Sequence, residues 1–584
     1  MYLIVVIAMS AVCLLTAYRV YGNVLARLLR LDDGAITPAV SMRDDIDYAP
    51  IEPKFLMSQH FSAIAAAGPI VGPILAGVMF GWLPALLWIL IGSIFIGGVH
   101  DITALVASIR HKARSIAEVV RVHMSRRSYI LFLVFIWIAL IYIIVAFTDI
   151  VAGSFVGRQE LENGMVVTGG GVATSSLLYL LLPIVMGILL RFTKLSLNAA
   201  TVIFVPLVGV AIWVGQYAPF DLAQILGASD ASTQRIWGVL LLVYCFVASI
   251  VPVWMLLQPR GHLGGYFLYV ALGGGLLGLL LSGETAEYPA FIGWSSANGD
   301  PIAPILFITI ACGACSGFHS IIASGTTSKQ LRKETDAKVI GYGSMLLEAM
   351  VAVVSLCCVM MLTREAAAGL QGKPNYIYAQ GIGSFLGNIG IPASFAISFG
   401  LLAFTTFVYD TLDVCTRLGR YIIQELTGMK GTAGRWVSTA LTAGTPLIFL
   451  VQTSTDPTGK TIPAWRTFWN LFGASNQLLA ALTLLGVTVW LWRTYRANWV
   501  WWVAGIPTVV MYVMSTWALL RFARAGFFTP EWALKGIPKE PVPWVALVLV
   551  GLAALVLIEA IRVFTGGLRP PTPPQPEPAP AMSA

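Results

Sequence analysis

A histidine and a row of hydroxyls lie inside an apolar segment, and these side chains are the first candidates for chemistry at membrane depth. The stretch 316–330 reads SGFHSIIASGTTSKQ and carries His319, Ser320 and Ser324 after an apolar run. Histidine donates and accepts hydrogen bonds and changes its charge near neutral pH. Irregular backbone at membrane depth is tolerated only where it is buried in protein or lines a water-filled cavity. The stretch therefore predicts the wall of a polar pathway.

Other titratable residues also lie within apolar segments. His60 precedes the run FSAIAAAGPIVGP, His100 and Asp101 lie in GGVHDITALVAS, and Glu348 lies in GYGSMLLEAMVAVV. An ionisable group at membrane depth indicates a functional site by default. His100, Asp101 and Glu348 are therefore predicted to act in ion coupling or gating. His60 and His319 are predicted to hydrogen-bond the substrate. The alternative for all five residues is a structural role, in which each side chain is paired within the protein.

Uncharged polar residues lie in two later apolar segments. Thr405 and Thr406 lie in LLAFTTFVYD, and Asn476 and Gln477 lie in LFGASNQLLAAL. Threonine hydroxyls in membrane helices often bond back to the carbonyl four residues earlier, and amide side chains either join helices or line a pathway. Both interpretations stay open for these four residues, which we include among the coupling and gating candidates. The charges at 410–425 repeat at about helical spacing and predict an amphipathic helix at the membrane interface with its own ion pairs.

Motifs of an enzyme are absent from the sequence. It contains no HExxH, no Walker loop and no GxSxG. A His-Asp pair and Ser-x-x-Ser elements are the only support for an intramembrane hydrolase, and a channel is the other competing class. Cys312 and Cys315 form a C-x-x-C, which without a second cysteine pair fits small-residue helix packing better than a metal or redox site. We therefore predict no enzyme activity, no cofactor and no resident metal.

The composition places these residues in a membrane protein. The 584 residues are 57% hydrophobic and 11% charged, whereas soluble chains carry about 25% charged residues. The net charge of +8 comes from clusters at the ends of apolar segments, a pattern that indicates membrane orientation and not nucleic-acid binding. The sequence predicts an all-α polytopic protein embedded in a lipid bilayer.

Fifteen segments are long enough to cross roughly 30 Å of hydrocarbon. They lie near residues 2–19, 58–80, 83–108, 129–152, 173–191, 197–216, 236–257, 263–282, 302–324, 338–362, 389–408, 436–452, 468–492, 498–520 and 541–562. Lysine and arginine cluster after the odd-numbered segments, and the loop after the fourteenth is the exception. Since basic loops stay in the cytoplasm, we expect the N-terminus outside and the C-terminus inside. The Pro-rich stretch 566–584 is expected to be a disordered tail.

Two of these segments contain residues that interrupt helices. The second contains Gly68-Pro69 and Gly72-Pro73, and the ninth contains the Ser-Gly-Thr-Thr run, so we expect breaks near Gly68-Pro69 and near 324–326. The two segments run in opposite directions by the charge pattern. Paired broken helices in opposite orientation are typical of transporters with inverted repeats, which hold their substrate between them. The alternative is close packing of small residues with simple proline kinks.

Several longer motifs resemble one family of membrane proteins. They are DDGAITPA at 32–39, HFSAIAAAGPIVGPILA at 60–76, LPALLWILIG at 83–92, SGFHSIIASGTTSKQL at 316–331, LDVCTRLGRYIIQEL at 412–426 and FGASNQLLAAL at 472–482. These motifs resemble the carbon starvation protein A family of bacterial inner-membrane transporters. The resemblance implies uptake of peptides or pyruvate and membership of the amino acid–polyamine–organocation superfamily. The core of that superfamily is a five-plus-five inverted repeat. The first repeat would lie within spans two to eight, and two of the helices there would be additional to it.

The resemblance also suggests a division of the chain and a mechanism. We expect a peripheral helix at 1–30, a transporter core at 31–492, peripheral helices at 493–565 and the tail at 566–584. The expected activity is symport of a small carboxylate with protons through alternating access, in the response to carbon starvation. The oligomeric state stays open.

The expected substrate site uses both broken helices. Freed backbone amides and the positive ends of half-helices suit a carboxylate. The predicted binding residues are His60, Ala66, Ala67, Gly68, His319, Ser320, Ser324, Gly325 and Thr326. The alternative is a sodium-coupled symporter of amino acids or other carboxylates. Sodium-driven members of the superfamily imply a sodium site made here by carbonyls of Ala63 and Ala66 with the hydroxyls of Thr405 and Thr406.

Overall fold

Helices make up almost all of the protein in the part of the chain that the structure, a computed structural model, describes. The described residues are 2–44, 48–65, 67–160, 166–252, 254–370, 373–451, 454–455, 461–529, 531–538 and 540–566. The helices in the first half of the chain are α1 (Leu3–Arg19), α2 (Tyr21–Leu28), α3 (Pro38–Ser41), α4 (Pro53–Ile64), α5 (Gly68–Phe80), α6 (Trp82–Gly92), α7 (Gly98–Arg110), α8 (Ile116–His123), α9 (Arg126–Ser154), α10 (Gly169–Phe192), α11 (Leu197–Tyr217), α12 (Leu222–Leu226), α13 (Asp230–Ile250) and α14 (Leu257–Ser282). The second half contains α15 (Ile302–Thr309), α16 (Gly317–Ile322), α17 (Ser344–Met360), α18 (Arg364–Gly369), α19 (Pro374–Gly387), α20 (Ala393–Thr427), α21 (Gly431–Leu450), α22 (Ala464–Tyr495), α23 (Ile506–Phe527) and α24 (Pro541–Phe564).

Short elements complete this architecture. π-helical turns at Ser93–Gly97, Ala323–Thr327, Lys338–Gly343 and Trp501–Gly505 adjoin α7, α16, α17 and α23, and a 3₁₀ turn covers Glu334–Asp336. Two small antiparallel hairpins pair β1 (Arg158–Glu160) with β2 (Val166–Thr168) and β3 (Ser454–Thr455) with β4 (Thr461–Ile462). The predicted tail, apart from Gly566, lies outside the described residues.

Twelve helical stretches among the described residues are long and apolar enough to cross a membrane, or thirteen if the bent pair α4 and α5 forms one span. The predicted count of fifteen is therefore not confirmed. The two remaining predicted segments are 302–324, which is divided between α15 and α16, and 436–452, most of which falls in α21. The helix α21 contains Arg435 and several hydroxyl residues, and these lower its hydropathy.

The first predicted break is confirmed. The axes of α4 and α5 meet at 46°, and the helical conformation ends at Ala65, whose ψ is 61°. Helix α5 then begins at Gly68 with Pro69 in its first turn, a position where the missing N–H of proline costs no hydrogen bond. Ala66 lies between the two helices and outside the described residues.

The second break is real but lies earlier in the chain than predicted. Helix α15 ends at Thr309 and α16 begins at Gly317, so the interruption covers 310–316 and not 324–326. The Ser-Gly-Thr-Thr run instead continues α16 as a π-helical turn. The physical reason is local: the hydroxyls of Ser324 and Thr326 donate to the carbonyls of residues 320 and 322 at 2.7 and 3.0 Å, so their hydrogen bonds are made within the helical turn.

The two breaks lie side by side in the interior. A methyl group placed on Gly68 would lie 2.3 Å from Cys312 Sγ, and one on Gly72 would lie 2.5 Å from the Thr309 carbonyl oxygen. Both distances are shorter than any van der Waals contact, so only glycine permits this approach. The expected neighbourhood of the two broken helices is therefore confirmed.

Candidate functional site

Four titratable side chains meet beside the second broken helix, and we call them the buried tetrad (His100, Asp101, His319, Glu348). Asp101 Oδ1 lies 2.7 Å from His100 Nδ1, and Asp101 Oδ2 lies 2.8 Å from His319 Nδ1. The other ring nitrogen of His319 lies 3.2 Å from Glu348 Oε2. All four side chains are fully buried. The tetrad joins α7, α16 and α17, and therefore brings together four sequence candidates that are up to 248 positions apart in the chain.

The hydrogen bonds of the tetrad restrict where its protons lie. A carboxylate accepts, so both histidines present Nδ1–H to Asp101. His319 Nε2 and Glu348 Oε2 lie at ion-pair distance, but neither Glu348 oxygen has a hydrogen-bond partner among the described residues. We treat this approach as an electrostatic contact. A bare carboxylate facing a lone pair in a buried site is unfavourable, so one proton resides on His319 Nε2 or on Glu348.

His60 lies on the first broken helix and faces a separate cavity. Its Nδ1 lies 2.8 Å from Thr327 Oγ1, and its Nε2 is buried without a partner. The central cavity, of about 20 Å³, is lined by His60, Ala63, Thr326, Thr327 and Asp410 among others. That volume holds about one water molecule. The structure therefore brings the predicted residues His60 and Thr326 together at one narrow cavity.

Ser320, Ser324 and Gly325 have packing contacts of their own. Ser320 donates to the Gly317 carbonyl at 2.7 Å, and Ser324 accepts from the Ile116 amide at 3.1 Å. A methyl group on Gly325 would lie 2.6 Å from Leu418. The amides of 324–326 follow two turns of helix, so they bond along the helix and are not free for a carboxylate. This conformation does not support the predicted anion site on these amides, which stays a prediction, whereas the Ala67 and Gly68 amides lie at the start of α5.

A larger cavity approaches the same helix from the end where α7 and α20 terminate. It has a volume of about 450 Å³, and its wall includes Ser324, Gly325, Lys329, Glu118 and Glu425. Gly325 and Lys329 also line a small cavity next to the central one. The helix α16 and its π-turn thus separate a wide vestibule from the central cavity.

Asn476 and Gln477 on α22 hold the two sides of the second break. Asn476 Oδ1 accepts from the Phe318 amide at 2.9 Å, at the start of α16. Gln477 Nε2 donates to the Phe307 carbonyl at 2.5 Å, near the end of α15. Both backbone groups have lost their helical partners at the break. Of the two interpretations left open by the sequence, the structure supports helix joining for this pair.

The two threonines of the sodium hypothesis lie buried on α20. Thr405 donates to the carbonyl of residue 401 or 402 and contacts Ser176 of α10 at 3.2 Å. Thr406 Oγ1 is buried without a hydrogen bond. The side chain of α20 that does reach α4 is Asp410, which accepts a short hydrogen bond from Ser62. Thr406 lies one helical turn before Asp410 on α20, and Ala66 lies outside the described residues, so the sodium set with Ala63 stays a prediction.

A second charged group, the Arg260 cluster (Arg260, Asp410, Asp413), was missed by sequence reasoning. Arg260 Nε lies 2.8 Å from Asp410 Oδ1, and Arg260 Nη1 contacts Asp413 Oδ2 and the Tyr244 hydroxyl. All three charged side chains are buried. Gly264 provides the space, because a methyl group there would lie 2.6 Å from Asp410 Oδ2.

The Arg260 cluster corrects the prediction for 410–425. Asp410, Asp413, Arg417 and Arg420 are buried, so this part of α20 is not an amphipathic interfacial helix. The partners lie on other helices: Arg417 and Arg420 donate to carbonyls at the end of α13 at 2.7 Å. The sequence signal for this cluster is the pair of carboxylates Asp410 and Asp413, three residues apart and next to a membrane-length helix. The burial of Arg260 can be seen only in the folded structure.

The family follows from comparison with known proteins. A family model described as carbon starvation protein CstA matches residues 2–377 and 365–518. The chain belongs to this family. It is 32% identical over 544 residues to the peptide transporter CstA of Helicobacter pylori, covering 82% of this chain and 76% of the relative. It is 29% identical to the peptide transporter CstA of Bacillus subtilis, with 96% of each chain covered.

A CstA-family relative with a different named substrate is equally similar. The pyruvate/proton symporter BtsT of Escherichia coli is 30% identical over 596 residues, covering 88% of this chain and 81% of the relative. Relatives named as transporters, together with the apolar helices described above, make this chain an integral multi-pass membrane protein. Among solved structures, a manganese transporter of Eremococcus coleocola covers 89% of this chain and 99% of its own at 14% identity, with a TM-score of 0.48.

Proposed function

We propose that this protein is a secondary active transporter that takes up small peptides or pyruvate across the bacterial inner membrane by proton symport. The names of its relatives support both substrates, and one of them is named a proton symporter. The motifs of the carbon starvation family support a role in the starvation response. No catalytic role is needed for the buried residues described above.

The buried tetrad is the observation that carries the proposal. One proton lies on His319 or Glu348, and Asp101 is ionised, so the tetrad with neutral His100 holds one net negative charge. A second proton at the same pair gives a neutral tetrad. A group that alternates between these two states inside the membrane binds and releases one proton, which is what a coupling site must do.

Alternating access accounts for the two cavities. The wide vestibule near Lys329 and the narrow central cavity near His60 lie on two sides of the second broken helix. Tilting of the broken helices would widen one side and close the other, as in transporters that rock around a site between inverted repeats. We extend this to a five-plus-five repeat within a core of 31–492, with peripheral helices at 1–30 and 493–565, the N-terminus outside and the C-terminus in the cytoplasm.

Sodium coupling has less support than proton coupling. The hydroxyl of Thr405 points to α10, and the carboxylate that faces α4 is already paired with Arg260. Protonation of the tetrad needs no rearrangement of a buried ion pair.

Transport in proteoliposomes tests the proposed function. The purified full chain would be reconstituted, and uptake of labelled pyruvate and labelled alanyl-alanine measured with a pH gradient, with a sodium gradient at constant pH, and with neither. We expect accumulation of at least one solute with the pH gradient alone. Accumulation driven only by sodium, or by no gradient, would contradict proton symport.

A further inference from the structure

The central cavity contains an acidic side chain of a kind that binds cations. Among the described residues that line it, Asp410 is the one charged group apart from the titratable His60. The remaining wall contains Ala63 and the hydroxyls of Thr326 and Thr327. A buried carboxylate is stable only when a cation or hydrogen-bond donors face it. The wall therefore suits a ligand that brings a positive charge or several donors.

Asp410 can turn to such a ligand without leaving Arg260 unpaired. The guanidinium contacts two carboxylates, Asp410 through Nε and Asp413 through Nη1. Tyr244 adds a hydroxyl hydrogen bond to Asp413 at 2.9 Å, and its ring lies 5.7 Å from the guanidinium carbon. A buried cation with no counter-charge is strongly destabilising. Because Asp413 keeps that role, Asp410 is the exchangeable partner.

Arg260 also has a donor to spare. Its Nη2 is fully buried and has no hydrogen-bond partner. The guanidinium contacts Asp410, which lines the central cavity. An unpaired buried donor next to a cavity is a natural partner for a carboxylate.

We infer that the Arg260–Asp410 pair recognises a zwitterion, with the substrate ammonium on Asp410 and its carboxylate directed to Arg260. This rests on the proposed transport function and narrows its substrate class to compounds with a free amino group, such as peptides and amino acids. Pyruvate has the carboxylate and lacks the ammonium. The cavity has room for about one water molecule in this structure. The substrate therefore binds in a conformation in which α4 and α20 separate around the cavity.

Competition by chemically blocked peptides tests this on the unmodified protein. Uptake of labelled alanyl-alanine by the reconstituted full chain would be measured against unlabelled alanyl-alanine, its N-acetyl derivative, alanine and pyruvate. A charge-assisted contact removed by acetylation lowers affinity by about tenfold or more. We therefore expect N-acetyl-alanyl-alanine and pyruvate to compete at least about tenfold more weakly than the free peptide, with alanine showing whether the ammonium suffices without a peptide bond.

Two results overturn the inference while leaving transport intact. Equal competition by the acetylated peptide is one, and uptake of pyruvate without any uptake of the peptide is the other. Absence of uptake for every labelled solute under every gradient would instead refute the proposed function itself. The two failures are therefore distinguishable in one experiment.

Variants locate the recognition at Asp410. Asp410→Asn should bring the ratio between free and acetylated peptide close to one, whereas Asp410→Glu, which keeps the charge, should retain a preference. Glu365→Gln is the control, because it removes one negative charge from an exposed position in the first turn of α18 and should keep the ratio. Size-exclusion profiles would identify a misfolded variant, and in that case the wild-type competition still decides. An unchanged ratio in Asp410→Asn would overturn the assignment.

Discussion

At the scale of single residues, Glu348 gives the sharpest test of the proton site. It is fully buried, its nearest charged partner is His319 at 3.2 Å, and glutamine has nearly the same shape but cannot take a proton. A one-unit pH gradient coupled to one proton can drive about tenfold accumulation. Glu348→Gln should lose this accumulation in proteoliposomes but retain exchange of labelled for unlabelled solute, which needs no net proton transfer.

The control for that experiment is a carboxylate away from the interior. Glu365 lies exposed in the first turn of α18, and Glu365→Gln should accumulate solute like the wild type. Full accumulation by Glu348→Gln under the same pH gradient would remove Glu348 from the coupling site.

The sequence could nominate residues of this kind but not their partners. Asp101, His319 and Glu348 were each predicted from one rule, that ionisable groups inside the membrane are functional, and the structure brings all three together. Arg260 was missed because its position near the end of an apolar segment looked like a loop charge. Whether an arginine turns toward water or into the protein depends on helices far away in the chain, here α20.

At the scale of helices, the contact between the two breaks can be tested with glycine substitutions. A methyl group on Gly68 would lie 2.3 Å from Cys312 Sγ, whereas one on Gly209 in α11 meets nothing within 4 Å. Gly68→Ala should therefore destabilise the protein by about 1–3 kcal/mol through overpacking, and Gly209→Ala should be neutral or stabilising by up to about 1 kcal/mol. Thermal unfolding in detergent compares the two variants.

A second-site change makes that test specific. Cys312→Gly removes the side chain that the new methyl group would strike, so the double variant should recover part of the stability lost in Gly68→Ala. If the double variant loses the sum of both single effects, the breaks do not touch as described.

Helix boundaries were predictable where the cause was local. Gly68 and Pro69 predicted the first break because proline and glycine act on their own backbone. The second break was misplaced because serine and threonine hydroxyls can either compete with the helical hydrogen bonds of the backbone or bond to carbonyls within the helix. In this structure they bond within the helix. Helix α19, with 14 residues, lies between the tenth and eleventh predicted spans and was not predicted, because it is too short to span a membrane.

At the scale of the whole molecule, a pair of histidines outside the spans joins the α7–α9 connection to α22. His111 Nδ1 donates to the Ala107 carbonyl at 2.6 Å, so its Nε2 must accept from His123 Nε2 at 2.9 Å. His123 Nδ1 then accepts from Arg493 at 3.3 Å. Each contact requires a neutral ring, because a proton on either acceptor would place two donors against each other.

This chain of donors predicts a loss of stability in acid. Burial lowers the pKa of His111, and burial together with His111 and Arg493 lowers the pKa of His123 from 6.5 to about 3. The unfolded chain therefore binds these protons first, and stability that is complete above about pH 6.5 is lost as the pH falls toward 3. For one histidine the loss is about 1.4 kcal/mol per pH unit. The unfolding temperature in detergent should fall between pH 6.5 and 5 more steeply in the wild type than in His123→Phe, which has no proton to bind there. Equal slopes in the two proteins would show that the pair does not govern the acid response, since all the carboxylates of the chain are common to both.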